Sequence, residues 1–197
     1  MTRHGILAVM TVSLVAIVVP AVRAQSVSPA ASNQQAKTDE ARMRVAFYAD
    51  LADEGAARQA VVLRAFADRH KDQILVEVHH RLPAAVEPQS RLADLAVAAA
   101  AQQARAWDMA QIILANADRQ TMADFSGMAK QLELDVPRFQ AALVSGDVAA
   151  AVAADAGGSA SAALPAGAVV VMGDRVMASP TLATLEAAFT ALTSAAK

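Results

Sequence analysis

The sequence predicts an α/β protein in which a helical segment interrupts a sheet-forming unit. Three observations support this prediction: a strand–helix–strand pattern near residues 45–78, an alanine-rich helical region after it, and two strands followed by a helix at the C-terminal end. The chain has 197 residues, a hydrophobic fraction of 55% and a net charge of −2. These values favour a folded domain with a buried core and do not suggest nucleic-acid binding.

The first 24 residues have the pattern of a secretory signal peptide. Arg3 supplies a positive charge, residues 6–19 are almost uninterrupted in their apolar character, and Ala24 ends a small-residue cleavage motif. The apolar run is shorter than the ~20 residues that a spanning helix needs. We therefore expect cleavage after Ala24 and a mature protein that is periplasmic or secreted and does not bind a membrane; retention as an uncleaved anchor is the alternative. Residues 25–41 are polar and small, which predicts a flexible leader.

The first folded unit is predicted as strand, helix, strand. Residues 45–49 (VAFYA) and 74–78 (ILVEV) are short apolar runs typical of buried strands. Between them the apolar spacing is helical from Glu54 to about His70, and Asp53 is a good N-cap for that helix. A strand–helix–strand unit of this length implies a parallel strand pair with a right-handed crossover.

Residues 86–156 are predicted as a helical insertion. Helical spacing runs through residues 92–116, where alanine is abundant. Thr121 and Asp135 are expected to cap two further helices, and Asp147 is expected to cap a short one that ends near residue 155.

The last unit, residues 160–197, is predicted as strand, strand, helix. Residues 168–172 (AVVVM) read as a buried strand, the Gly-Asp pair at 173–174 as a hairpin turn, and Thr181 as the N-cap of the final helix. Together with residues 43–82 this unit completes one domain around the insertion.

This order of elements, with several local motifs, resembles the thioredoxin fold of the DsbA-like family, the periplasmic disulfide oxidoreductases. Residues 45–50 (VAFYAD) resemble the first strand and the Asp that follows it, and residues 75–83 (LVEVHHRLP) resemble the second strand and its proline exit. Leu164 and Pro165, shortly before a strand and a glycine turn, resemble the family's cis-proline. The resemblance covers about residues 43–194 and implies a thioredoxin fold with an inserted helical domain.

The departure from the family lies at the N-terminus of the first helix. The family carries Cys-x-x-Cys there, where the positive helix end activates a thiolate. Here the stretch reads Asp53, Glu54, Gly55, Ala56, and the whole chain contains no cysteine. Without a cysteine thiol no mixed disulfide can form, so thiol–disulfide exchange is excluded. The related kappa-type glutathione transferases and isomerases use serine at the first position, which is aspartate in this chain.

Two functional hypotheses follow for this degenerate active-site loop. An exported protein that is not an enzyme would bind an extended peptide or a protein partner beside Leu164, Pro165 and Ala166, since main-chain pairing needs no cysteine. An enzyme with non-thiol chemistry would use Asp53 or Glu54 at the positive helix end, although simple helix capping explains the same two residues. A structural or assembly role is a third possibility. Neither a cofactor nor a metal is expected.

The adjacent pair His79 and His80 invites a metal interpretation. Neighbouring residues on a strand point to opposite faces, so regular strand geometry prevents both imidazoles from binding one ion. We therefore expect structural roles for both histidines.

Overall fold

The computed structural model describes residues 42–82 and 88–195. Within these ranges the chain forms four strands and eight helices, ordered as a βαβ unit, six helices and a ββα unit. The strands are β1 (Met43–Ala49), β2 (Ile74–His80), β3 (Val169–Met172) and β4 (Arg175–Ala178). The helices are α1 (Glu54–Arg69), α2 (Pro88–Ala101), α3 (Ala106–Ala115), α4 (Met122–Gln131), α5 (Val136–Leu143), α6 (Gly146–Ala156), α7 (Ser159–Ala162) and α8 (Leu182–Ala195).

The predicted signal peptide (1–24) and leader (25–41) lie outside the described residues, as does Pro83. Among the described helices, no single one is both long and apolar enough to cross a bilayer, although α5 and α6, which meet at a bend of 64°, reach that length and composition as a pair.

The strands form one sheet in the order β2-β1-β3-β4. The β1 strand is parallel to β2 and antiparallel to β3, and β3 forms a hairpin with β4. The parallel pair and the hairpin predicted from the sequence are both confirmed. As a central strand, β1 buries Val45, Phe47 and Ala49 completely, which explains its nearly continuous apolar sequence.

Aromatic contacts fix the helices on the sheet. Phe66 of α1 and Phe189 of α8 pack edge to face with ring centroids 5.8 Å apart. Trp107 of α3 meets Phe47 of β1 in the same way at 5.9 Å. Edge-to-face pairs of this kind stabilise packing beyond their buried area, so the core extends from the C-terminal helix through the sheet into the helical insertion.

Most of the predicted helix starts are confirmed. Asp53, Thr121 and Asp135 accept backbone N–H bonds as N-caps, and Asp124 completes a capping box with Thr121. The Thr181 hydroxyl likewise accepts from the Thr184 N–H group at 3.2 Å. Caps depend on residues close in sequence, which is why the pattern predicts them well.

Three local predictions are wrong. Ser145, not Asp147, caps α6, and its hydroxyl accepts the Asp147 N–H group at 3.2 Å; Asp147 instead lies in the first turn, where the helix dipole favours a negative charge. The continuous helical region predicted over 92–116 is two helices, because Ala104 adopts a positive φ of 58° between α2 and α3. The stretch 157–167, predicted as a loop, contains the short helix α7.

Candidate functional site

The loop between β1 and α1 is held by the side chains of two aspartates. Asp50 Oδ1 accepts the Ala52 N–H group at 2.9 Å, and the Asp53 N–H group donates to the Asp50 carbonyl at 3.1 Å. Asp53 Oδ1 in turn accepts from the Gly55 N–H group at 2.9 Å. Both carboxylates therefore satisfy backbone donors that the turn and the helix start would otherwise leave unpaired.

The four residues of the degenerate active-site loop have different environments. Asp53 is exposed at the helix start, and Gly55 continues the first turn. The Glu54 side chain is 93% exposed and lies 3.5 Å from the Arg58 guanidinium, whereas Ala56 is fully buried in the core. The methyl group of Ala56 therefore contributes only to packing. No positioned acid–base pair joins these residues.

The second predicted segment, Leu164 to Ala166, precedes β3 by several residues. The expected cis-proline is wrong: no cis peptide bond occurs among the described residues, so Pro165 follows Leu164 in trans. Gly167 has a φ of +81°, a conformation that glycine adopts readily and other residues avoid. The reversal into the strand therefore takes place at Gly167, and a cis bond at Pro165 is not needed for it.

Arg81 fixes this loop from the end of β2. Its Nη1 donates to the Pro165 carbonyl at 2.5 Å and to the Gly167 carbonyl at 2.7 Å. The carbonyl of Ala166, between these two, and the Ala166 N–H group make no hydrogen bond to any other described residue. Sequence reasoning missed Arg81, whose only signal was its place directly after β2; its partners lie 84 and 86 residues further along the chain.

These loops enclose a small open cavity of about 270 Å³ beside the start of α1, which we call the N-cap cavity. Its lining comprises Asp50, Asp53, Arg81, Leu82, Ala166 and Gly167. Of the predicted site residues, the fold thus brings Asp53 and Ala166 together. Glu54, Gly55, Ala56, Leu164 and Pro165 do not line the cavity.

A second polar cluster lies immediately before Arg81 in the sequence, where the end of β2 packs against the helical insertion. His79 Nδ1 lies 2.8 Å from Asp155 Oδ1 on α6, and His80 Nδ1 lies 2.7 Å from Asp94 Oδ1 on α2. We call these four residues the histidine–carboxylate seam. As expected from strand geometry, the two imidazoles bind separate partners. Among the described residues, no group of three or more His, Cys, Asp or Glu side chains is arranged to hold a metal ion.

Hydrogen bonding and burial shift the pKa values of the seam in different directions. The hydrogen bond that the His79 ring donates to Asp155 raises the pKa of His79, against the effect of partial burial. Burial alone would raise the pKa of Asp155. The hydrogen bonds that Asp155 accepts from the His79 ring and the His80 N–H group outweigh burial and lower the pKa of that carboxyl. At Asp94, which is fully buried, burial outweighs the His80 hydrogen bond and raises the pKa.

Comparison with solved structures identifies the architecture as a DsbA-like thioredoxin fold. A thioredoxin-like oxidoreductase from Silicibacter pomeroyi matches with a TM-score of 0.64 at 14% identity, covering 80% of this chain and 90% of that one. A putative protein disulfide isomerase from Nitrosomonas europaea matches at 0.62 and 12%, covering 78% and 98%. The thiol-disulfide exchange protein alpha-DsbA2 from Wolbachia pipientis matches at 0.62 and 8%, covering 76% and 81%. No protein-family model and no curated protein sequence matches the chain.

The fold expected from the resemblance is therefore confirmed. These structural neighbours are named for oxidoreductase, isomerase or thiol–disulfide exchange activity, whereas this chain contains no cysteine. The chain therefore shares the fold of these proteins but lacks the cysteine thiol that thiol–disulfide exchange requires.

Proposed function

We propose that the chain is an exported, redox-inactive protein that binds an extended peptide segment of a partner protein at the N-cap cavity. The observation that carries this proposal is the backbone of Ala166. Its N–H and carbonyl groups lie in a loop that lines the cavity, and neither is hydrogen-bonded to another described residue. An extended peptide pairs with such groups by main-chain hydrogen bonds, which require no reactive side chain.

Arg81 supports this proposal by holding the loop in one conformation. Because the guanidinium already binds the Pro165 and Gly167 carbonyls, these two acceptors are satisfied within the protein. The groups between these two carbonyls, the N–H and carbonyl of Ala166 and the N–H of Gly167, are left for a ligand. A loop that is ordered before binding loses less conformational entropy when the peptide arrives, which favours affinity.

Export is part of the proposal and rests on the N-terminal sequence. Residues 1–24 have the charged start, apolar run and small-residue ending of a cleavable signal. Expression of the full chain in a bacterial host tests this point. We expect the protein in the periplasmic fraction with Gln25 as its first residue.

A matched pair of substitutions at one position tests peptide binding. Ala166→Pro removes the N–H group, whereas Ala166→Ser keeps it. A random peptide library displayed on phage would be selected against the exported wild-type protein, and the dissociation constants of the selected peptides measured with both variants. We expect Ala166→Pro to weaken binding about five- to tenfold, the effect of losing one hydrogen bond of roughly 1 kcal/mol, and Ala166→Ser to bind like wild type.

The proposal would be wrong if the selected peptides bound Ala166→Pro as tightly as wild type, or if no peptide were selected at all. Amide hydrogen exchange on the complex gives a second readout. We expect the Ala166 amide to become protected when a selected peptide is bound, since it then donates a hydrogen bond.

A further inference from the structure

The histidine–carboxylate seam connects the sheet to two helices of the insertion through consecutive residues. His79 binds Asp155 of α6, and His80 binds Asp94 of α2. The next residue, Arg81, binds the loop that lines the N-cap cavity. Three neighbouring side chains at the end of β2 thus link the insertion, the sheet and the candidate site.

Asp155 holds both the side chain and the backbone of this strand end. Its Oδ1 lies 2.8 Å from the His79 ring, while its Oδ2 accepts the His80 N–H group at 2.6 Å. One face of the His79 imidazole stacks on Tyr48 of β1, with ring centroids 4.5 Å apart and the rings 13° from parallel. The imidazole is therefore held by the Tyr48 ring and the Asp155 carboxylate. A change in its charge changes the strength of the His79–Asp155 hydrogen bond.

The two pairs of the seam differ in their access to water. The side chains of His79 and Asp155 are 29% and 31% exposed, whereas those of His80 and Asp94 are 7% and 0% exposed. A half-exposed pair exchanges protons with solvent readily. In the buried pair Asp94 Oδ2 has no hydrogen-bond partner. The His79–Asp155 pair is thus the part of the seam that solvent reaches, and we assign the response to pH to it.

We propose that the seam is a protonation-dependent latch, in which the charge state of His79 sets how tightly helix α6 is held to the end of β2 and, through Arg81, where the 164–167 loop lies. Its consequence for peptide binding rests on the proposed function, but the latch itself does not.

The charged and titratable groups around the latch determine its direction. Asp155 on α6, Glu77 on β2 and Tyr48 on β1 act on His79, and Glu77 is itself paired with Arg44. Asp155 and Asp50 act on the buried Asp94. Because the carboxylates favour the imidazolium, His79 is charged in mildly acidic solution and the ionic pair closes the latch. Loss of the proton as the pH rises leaves only a hydrogen bond from a neutral ring, which is weaker.

An NMR titration of the wild-type protein without any peptide tests the latch. We expect the amide signals of Ala166 and Gly167 to shift with the same midpoint as the His79 ring signals. The Asp155→Asn substitution removes the charge that favours the imidazolium, so it should lower the His79 midpoint by about one pH unit and move the loop midpoint with it. Asp68→Asn is the control, since Asp68 is exposed on α1, away from the seam, and pairs with Arg64 at 3.8 Å. It should leave both midpoints in place.

The proposal is overturned if the loop amides do not titrate with His79 in the wild-type protein, a result that needs no variant and no assumption about its folding. It is equally overturned if Asp155→Asn shifts the His79 midpoint while the loop midpoint stays unchanged. Because no ligand is present, a negative result here leaves peptide binding at Ala166 untouched, and a failed peptide selection leaves the latch untouched.

Discussion

The N-cap cavity and the histidine–carboxylate seam are joined through Arg81, yet different atoms give the two regions their polar character. Around the cavity the carboxylates of Asp50 and Asp53 accept hydrogen bonds from local backbone donors, and the main chain of Ala166 and Gly167 carries unpaired groups. In the seam the polar contacts are between side chains that are distant in sequence and partly or wholly buried. The carboxylates beside the cavity bind only nearby backbone groups, whereas those of the seam hold the helical insertion to the end of β2.

The largest expected effect tests whether the buried half of the seam is structural. Asp94→Ala removes the partner of His80 in a buried site, so we expect it to lower the free energy of unfolding by about 3 kcal/mol, as measured by urea denaturation. Asp68→Ala is the matched control, because Asp68 is exposed on α1 and pairs only with Arg64 at 3.8 Å. It should cost about 0.5 kcal/mol or less. If both variants lowered the free energy of unfolding equally, the His80–Asp94 pair would contribute no more to stability than an exposed surface ion pair.

The half-exposed pair should give a stability difference that depends on pH. The raised pKa of His79 means that its contribution is complete below the unfolded-state value of about 6.5 and is lost as the pH rises through the folded-state value. The lowered pKa of Asp155 means that its contribution is complete above about 3.9 and is lost as the pH falls through its folded-state value. Subtracting the stability of Asp155→Asn from that of wild type should therefore give a maximum of about 1 kcal/mol between about pH 4 and 6.5. A flat difference over pH 4–8 would contradict this assignment.

At the cavity we expect helix capping to account for Asp53. Asp53→Ala should lower the free energy of unfolding by about 1 kcal/mol, while Asp53→Asn should cost less because asparagine also caps helices. Denaturation of both variants in urea measures this difference. If the asparagine variant lost as much as the alanine variant, the charge of Asp53 would have a role that capping does not explain.

The smallest effect is expected at Glu54. Its side chain is almost fully exposed and pairs only with a neighbouring arginine on the same helix. Glu54→Gln should leave the urea midpoint and the affinity for selected peptides unchanged. A marked change in either quantity would support a functional role for the acidic residues at the start of α1.

The sequence predicts well the features that depend on neighbours along the chain. The strands, the parallel pair and the caps at Asp53, Thr121 and Asp135 follow from local periodicity and from side chains that reach a backbone group within three residues. The fold class followed from the order of these elements.

The features that the sequence did not predict depend on long-range contacts or on competing local solutions. His79 and Asp155 are 76 residues apart, and no periodic pattern relates them. Leu164 and Pro165 resemble the family's cis-proline, but their peptide bond is trans, and the residue with a positive φ before β3 is Gly167, two positions later. Arg81 carried no motif, although its two carbonyl contacts decide which backbone groups of the loop stay unpaired.

The bond from the His80 N–H group to Asp155 has a consequence for how the protein behaves at high concentration. The β2 strand lies at an edge of the sheet, and since the Arg81 N–H group bonds to Ala49 of β1, the His80 N–H group faces outward. Outward donors on edge strands are sites where a second chain can add a strand and begin aggregation. At His80 the carboxylate occupies that position at 2.6 Å. An incoming strand would have to displace a charged side chain before it could pair there, so this end of the sheet is protected from edge-to-edge association.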